Sequence, residues 1–432
     1  MRLEINQHPI LILSGVQGDT RRYRTFHPYE QLQLAGVDCQ LSHVTDPDLP
    51  AKAADASLVI LHRVAHDRFV ERLIRSIQDR SGACICDVDD LVFDTAAFPW
   101  IDAPDFPDPW RASLYQEDMR RNSLTLDKCQ AVIASTGYLS ERVRRLGKPV
   151  WVHRNSFSLE MLALSQAAAQ TRPPSGDRVI IGYASGTPTH DRDFEVAKPA
   201  LQSILRSYPQ TELWIVGRLN PGKDWGALES RIRLHKFVPW RRLPNLLARF
   251  DINLAPLRMD NPFAQSKSEI KYMEAALVRV PTVASPTDAF RYAIRPGENG
   301  FLVASQAEWT EALAKLVEHA ELRRAIGEEA HLDALRRYHP TVRSAELLTT
   351  LEQIAAQHGV PLPLQPEAAS RRAVSSGKVL PAIGLEAEHS PTLARRALYS
   401  LRHRGVRTLL IQIWIYFRRL LAPVFPFRKI TQ

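Results

Sequence analysis

Asn261 to Ser285 reads NPFAQSKSEIKYMEAALVRVPTVAS, and its punctuation is that of a loop, a helix and a strand. Asn261-Pro262 marks the loop. Ser266 followed by Glu269 has the S-x-x-E spacing of a capping box, so a helix is predicted to start there. Pro281 closes it, and Thr282-Val283-Ala284 is a short β-prone run. On such a helix Lys267, Lys271 and Glu274 are four and then three residues apart and share one face. The first-turn N–H groups are unpaired and carry partial positive charge, so an anion is favoured beside them. Two lysines at that end would add charge for phosphate oxygens. A glutamate one turn deeper could accept hydrogen bonds from two vicinal hydroxyls, such as those of a ribose. Phosphate, ribose and base in that order make a nucleotide. The same residues also read as a solvated Lys-Lys-Glu face, a common feature of exposed helices.

On either side of this stretch, strands and helices alternate, the sign of parallel, doubly wound sheets. Pro9–Leu13 is an apolar strand, with Ser14-Gly15 at the end where such sheets bind ligands. Arg21-Arg22-Tyr23-Arg24 leads into a helix ending near Gly36. Further strands are expected at Cys39–Leu41, Ser57–His62, Ala83–Val88, Ala131–Ser135 and Pro149–Val152, with helices between them. After residue 177 the alternation resumes, with strands at Val179–Tyr183, Glu212–Val216, Ile232–His235, Ile252–Ala255 and Gly300–Val303. The expected organisation is therefore an N-terminal domain at 1–165, a polar linker at 166–177 and a second domain at 178–357. A Pro-containing linker follows at 358–390 and a basic tail at 391–432.

The fourth strand runs into Asp87-Val88-Asp89-Asp90. Two carboxylates in a D-x-D spacing can chelate a divalent cation that holds a diphosphate. Acids at a strand end can equally cap a helix or bind a backbone turn. After the first strand of the second half, Gly182 to Thr187 is rich in small residues that let N–H groups approach a phosphate. His190 to Phe194 follows, with Arg192 able to grip a phosphate bidentately. His190 is either a turn histidine or a site residue. Phe237-Val238-Pro239 bridges a strand and a helix.

Taken together, these segments resemble the glycosyltransferases of the two-domain GT-B fold, in the large, mostly retaining, group 1 or family-4-like class. Lys271-x-x-Glu274-Ala275 and Pro281-Thr282-Val283-Ala284-Ser285 match their donor-binding segment. Leu126 to Asn155 is similar to the end of their N-terminal domain, and Gly297-Glu298-Asn299-Gly300 to a structural turn of theirs. The likeness runs from about residue 9 to 357. It implies two Rossmann-like domains facing a cleft, and a hexosyltransferase-like, metal-independent reaction without a cofactor. The substrate would be a nucleotide diphosphate sugar and the acceptor a hydroxyl. The donor-binding groups it implies are Gly186, Thr187, Arg192, Val238, Lys267, Lys271 and Glu274; the catalytic candidates are Asp89, Asp90 and His190. The first acid of the family's Glu-x7-Glu pair falls on Ser266. Asp87 to Leu91 resembles a variant of polysaccharide-building members, which implies a glycan or lipid-linked glycan acceptor. A sugar-nucleotide epimerase of the same fold and a non-catalytic nucleotide-sugar binder are the alternatives.

The chain has 432 residues, 45% of them hydrophobic, and a formal net charge of +9. That length accommodates two domains. Cys39, Cys84, Cys86 and Cys129 are too scattered for a disulfide framework, and Cys84-x-Cys86 lacks the usual zinc spacing, so all four are expected as core thiols of a reducing compartment. No segment has the make-up of a signal peptide, and no apolar run reaches spanning length. Residues 391–432 hold nine Lys/Arg and no acid, leaving 47 basic against 47 acidic residues in 1–390. The charge excess is thus a property of the tail, and does not imply nucleic acid as a partner of the body. Within the tail, Arg407–Leu421 sets an apolar, aromatic-rich run between arginines, which suits an interfacial helix on anionic lipid or, as the alternative, a helix docking on another protein surface. The expectation is a cytoplasmic protein, peripheral at the inner face of a membrane.

Overall fold

The computed structural model describes residues 10–102, 108–172, 176–186, 191–360, 362 and 391–421. Two six-stranded sheets, parallel at every strand pair, carry it. In the first, β1 (Ile10–Ser14), β2 (Cys39–His43), β3 (Leu58–His62), β4 (Ala83–Val88), β5 (Ala131–Ala134) and β6 (Val150–Val152) lie in the order β2-β1-β3-β4-β5-β6. In the second, β7 (Val179–Ser185), β8 (Thr211–Gly217), β9 (Ile232–His235), β10 (Ile252–Ala255), β11 (Thr282–Ala284) and β12 (Phe301–Leu302) lie in the order β12-β11-β10-β7-β8-β9. These are the two doubly wound domains expected from the alternation. β1 is buried along its whole length, as a parallel strand covered on both faces by helices should be. All four cysteines are buried free thiols.

Each sheet reverses its strand order once, between β1 and β3 in the first and between β7 and β10 in the second. The crevices that open at the carboxyl ends of such reversals are where doubly wound sheets take ligands. Close backbone approach shapes both. A Cβ on Gly15, after β1, would stand 2.2 Å from the Arg63 carbonyl oxygen. Gly217, at the end of β8, has φ +110°, and a Cβ there would stand 1.9 Å from the Ser185 carbonyl oxygen.

The chain crosses between the domains in a way the linker reading did not anticipate. Residues 166–170 belong to a helix, Leu159–Gln170, whose Met161 and Ala168 pack with apolar groups of the second domain. The helix Pro340–His358 then returns to the first domain. Its Leu347, Leu351 and Ile354 join the cluster of Ile10, Ile12 and Leu32, and Ser344 donates to the Gln31 carbonyl at 2.6 Å. Which sheet this helix covers is a tertiary fact that a domain bound at 357 does not carry.

The helix of the opening stretch starts later than its capping pattern suggests. Asn261 caps a single turn, Pro262–Gln265, by accepting from the Phe263 N–H at 2.8 Å. The main helix is Ile270–Leu277. Ser266 and Glu269 do not cap it because both side chains are engaged elsewhere. The Ser266 hydroxyl donates to Asp90 at 2.8 Å, and the buried Glu269 carboxylate accepts from the Tyr338 hydroxyl at 3.1 Å. Lys267 therefore sits in the turn before the helix, Lys271 in its first turn and Glu274 in its second.

Candidate functional site

A cavity of about 660 Å³ lies between the two sheets' carboxyl ends, within the usual range for small-molecule sites. Lys267, Lys271 and Glu274 all open on it, as do Gly186 after β7 and Val238 after β9. Asp89 and Asp90 meet it from the other domain. Seven of the ten candidate residues thus converge. Thr187 and His190 lie outside the described residues. Arg192 does not line the cavity: it is exposed and pairs with Asp102 at 3.1 Å.

Lys271 is half-buried, its ammonium donating to the Ala184 carbonyl and standing 4.7 Å from the centre of the Tyr183 ring. Burial lowers its pKa to about 8, against the opposing pull of Glu274 and Asp193. A diphosphate would replace the missing hydration and favour the charged form. The sign of the resulting pH dependence is definite. Below about pH 8 the free protein carries the charge the anion needs; above it, each further unit removes up to tenfold of the competent form. Titration of nucleoside diphosphate binding by calorimetry should give a flat affinity below about pH 8 and a falling one above. An affinity that stays constant to about pH 10 would remove Lys271 from the phosphate site.

Glu274 accepts a hydrogen bond of 2.6 Å from the Tyr23 hydroxyl of the opposite domain. Burial raises its pKa, partly offset by Arg22 and that hydroxyl. A hydroxyl is therefore already seated on the carboxylate expected to take ribose hydroxyls. Tyr23 reaches it from a π-helical turn, Arg22–Phe26, which widens the first helix just where it faces the cavity. Arg22 lies between the rings of Tyr23 and Trp240, at 4.5 and 4.6 Å from their centres. Val238, Phe237 and Trp240 form the cavity wall beside it.

The Asp87–Asp90 run is divided among different partners. Asp87 is buried in a bidentate pair with Arg24, at 2.9 and 2.5 Å. Asp89 pairs with Arg63 at 2.6 Å and lies 3.5 Å from the His62 ring. Burial opposes ionisation of Asp89, but Arg63 and His62 outweigh it and hold its carboxyl well below the usual range. Asp87 and Asp89 are thus not presented together as a chelate. Asp90 reaches across the cleft, accepting from Ser266 at 2.8 Å and Lys267 at 2.7 Å, with Arg63 at 3.4 Å.

Arg63, Tyr23 and Arg22 are site residues that sequence reasoning did not single out. Arg63 has φ 46°, an uncommon value for a residue with a side chain, and it aims the guanidinium at both acids. Nothing in the sequence announces that conformation. Tyr23 and Arg22 had a signal, the Arg21–Arg24 run placed after the first strand.

Residues 178–319 match the family model described as Glycosyl transferases group 1. A phosphatidyl-myo-inositol mannosyltransferase of Mycobacterium leprae (strain TN) is 28% identical over 169 residues, 38% of this chain. The match spans 44% of that relative's length. Among solved structures, the sucrose-phosphate synthase of Thermosynechococcus elongatus superposes with a TM-score of 0.55 at 14% identity, over 81% of this chain and all of that one. Anabaena HepE in complex with UDP and glucose gives 0.53 at 14% identity, over 80% of this chain and 100% of its own. These structural likenesses concern the arrangement of two facing Rossmann-like domains.

Proposed function

We propose that this chain, a GT-B protein whose residues 178–319 carry the group 1 glycosyltransferase module, transfers a sugar from a nucleotide diphosphate sugar to an acceptor hydroxyl. The observation that carries the reading is the convergence of Lys271, Lys267 and Glu274 on one cavity that the opposite domain closes with Asp90 and Arg63. Glu274 would hold the ribose, as it now holds the Tyr23 hydroxyl. Lys271 and the backbone at Gly186 would hold the diphosphate, and their positive charge would stabilise the leaving phosphate as its negative charge develops. Val238 and its neighbours would border the base. Thr187 would join the phosphate contacts and His190 the sugar side, and Arg192 would reach the phosphate only on leaving Asp102. The domains facing the cavity would exclude water from the transfer.

Either Asp89 or Asp90 would take the acceptor proton; both line the cavity, Asp89 held by Arg63 and His62 and Asp90 by Ser266, Lys267 and Arg63. Part of the same reading is a reaction that retains configuration and needs no metal, with Lys271, Lys267 and Arg63 supplying the positive charge. The acceptor would be a glycan or lipid-linked glycan of cell-surface polysaccharide synthesis, met at the inner face of a membrane. No helix among the described residues is long and apolar enough to cross a bilayer.

The test is a thermal-shift screen across nucleoside diphosphates, because a ligand that binds the native state raises its apparent stability. The best of them is then compared with its 2′,3′-dideoxy analogue. The parent should prefer the ribose form by about tenfold to a hundredfold, the worth of hydrogen bonds to a charged acceptor, and Glu274→Ala should lose the preference. Equal discrimination by parent and variant would sink the ribose assignment. Conversion of the sugar nucleotide with no acceptor present would point to an epimerase instead.

A further inference from the structure

The tail is docked on the first domain with one face and leaves another uncovered. The Tyr399 hydroxyl donates to Asp67 at 2.6 Å, Arg404 pairs with Asp118 at 3.1 Å, and the rings of Tyr399 and His403 pack on Phe69. This fixes the helix Val406–Leu421 against Pro109–Lys128, and Ile415 lines the cleft cavity beside Leu114 and Tyr115. On its other side Val406, Leu410, Ile413 and Phe417 are spaced four, three and four apart, one helical stripe, and each is between 39% and 59% exposed. Soluble surfaces rarely leave such contiguous apolar stripes open. The flanking Arg395, Arg396, Arg402 and Arg407 are exposed, and no acid follows residue 390.

We infer that this stripe is a docking surface for an anionic phospholipid bilayer, set so that the acceptor side of the cleft faces the bilayer. Charge complementarity favours lipid: the arginines match headgroup phosphates while the stripe enters the acyl boundary. The position of Ile415 gives the surface its use. The helix that would lie in the interface is also a wall of the cavity, so a membrane-borne acceptor would arrive at the wall shared by the tail and Pro109–Lys128. The acceptor class this implies, an amphiphile with its hydroxyl-bearing head in the cleft, rests on the transferase reading above; the docking itself does not.

Removing the tail would strip Phe69 of its cover, so substitutions on the exposed stripe are the cleaner test. Full-length protein is spun with vesicles of phosphatidylglycerol and phosphatidylcholine, and with phosphatidylcholine alone. The parent should pellet with the anionic vesicles only, and less at high salt. Leu410→Glu/Ile413→Glu/Phe417→Glu should lose about tenfold or more of that binding, with nucleoside diphosphate affinity unchanged. Quenching of parent tryptophan fluorescence by brominated acyl chains should fall in Trp414→Phe. Equal pelleting of parent and triple variant, or no pelleting of the parent, overturns the proposal. A parent dimer that the triple variant dissolves, without vesicle binding, would assign the stripe to a protein interface. Vesicle binding by a protein that takes no nucleoside diphosphate would leave the docking standing and sink the transferase reading alone.

Discussion

Lys271→Ala is expected to lower kcat/KM for the donor by about a hundredfold to a thousandfold, the usual loss when one preorganised group that meets developing charge is removed. The size follows from where the ammonium sits. It is half-buried, donates to the Ala184 carbonyl and faces the Tyr183 ring, so water screens it only in part and its field at a diphosphate is stronger than that of a surface lysine. Lys271→Met should fail equally, since it keeps the chain and removes the charge. Neither variant should lose stability in step with activity. The lysine's lowered pKa means that burial already works against its charge, and taking that charge away relieves the folded protein. Steady-state kinetics with the best-binding donor, alongside thermal unfolding, separates the two effects. Activity within about threefold of the parent would remove Lys271 from the phosphate site.

Much of this site could be read before any fold was in hand, and the misreadings have physical causes. β4, β9 and β10 fall where their β-prone runs place them, bounded by turns. Lys267, Lys271 and Glu274 converge as their spacing suggests, although only two of them are helical. The helix start was misjudged because S-x-x-E makes a capping box only when both side chains are free to fold back. Here Asp90 takes Ser266 and Tyr338 takes Glu269, and a local pattern carries no information about partners 60 or more residues away. Arg192 differs for the same reason. Its charge is legible, but the Asp102 that engages it, and that also meets Arg258 at 3.3 Å, arrives from the other domain. The acids at the end of β4 were legible as a group, while their division among Arg24, Arg63 and Lys267 was not.

These cross-cleft bonds give Asp90 a double place in the site. It holds the turn that carries Lys267, and it accepts from the Ser266 hydroxyl of the same turn. A donor that displaced the Ser266 hydroxyl would find Asp90 free to accept from it.

The largest loss of stability is expected at Arg24, whose side chain is 1% exposed. Its guanidinium grips both oxygens of Asp87 and donates as well to the His153 carbonyl at 2.8 Å and to Asn155 at 3.1 Å. It thereby ties the first helix to the ends of β4 and β6. Arg24→Met should cost about 3–5 kcal/mol in urea unfolding, because it strands a buried carboxylate without its cation. Asp87→Leu should cost a similar amount by stranding the guanidinium. The double variant should be far less destabilised than the sum of the two, with a coupling of about 2 kcal/mol or more, since neither charge is then left alone. Additive losses would mean that the two side chains act separately. The pair also bears on the site, because Asn155 donates in turn to Ser268 at 2.9 Å, one residue from Lys267. Arg24→Met should therefore weaken donor binding at temperatures where the protein is still folded, by loosening the turn from which Lys267 reaches Asp90.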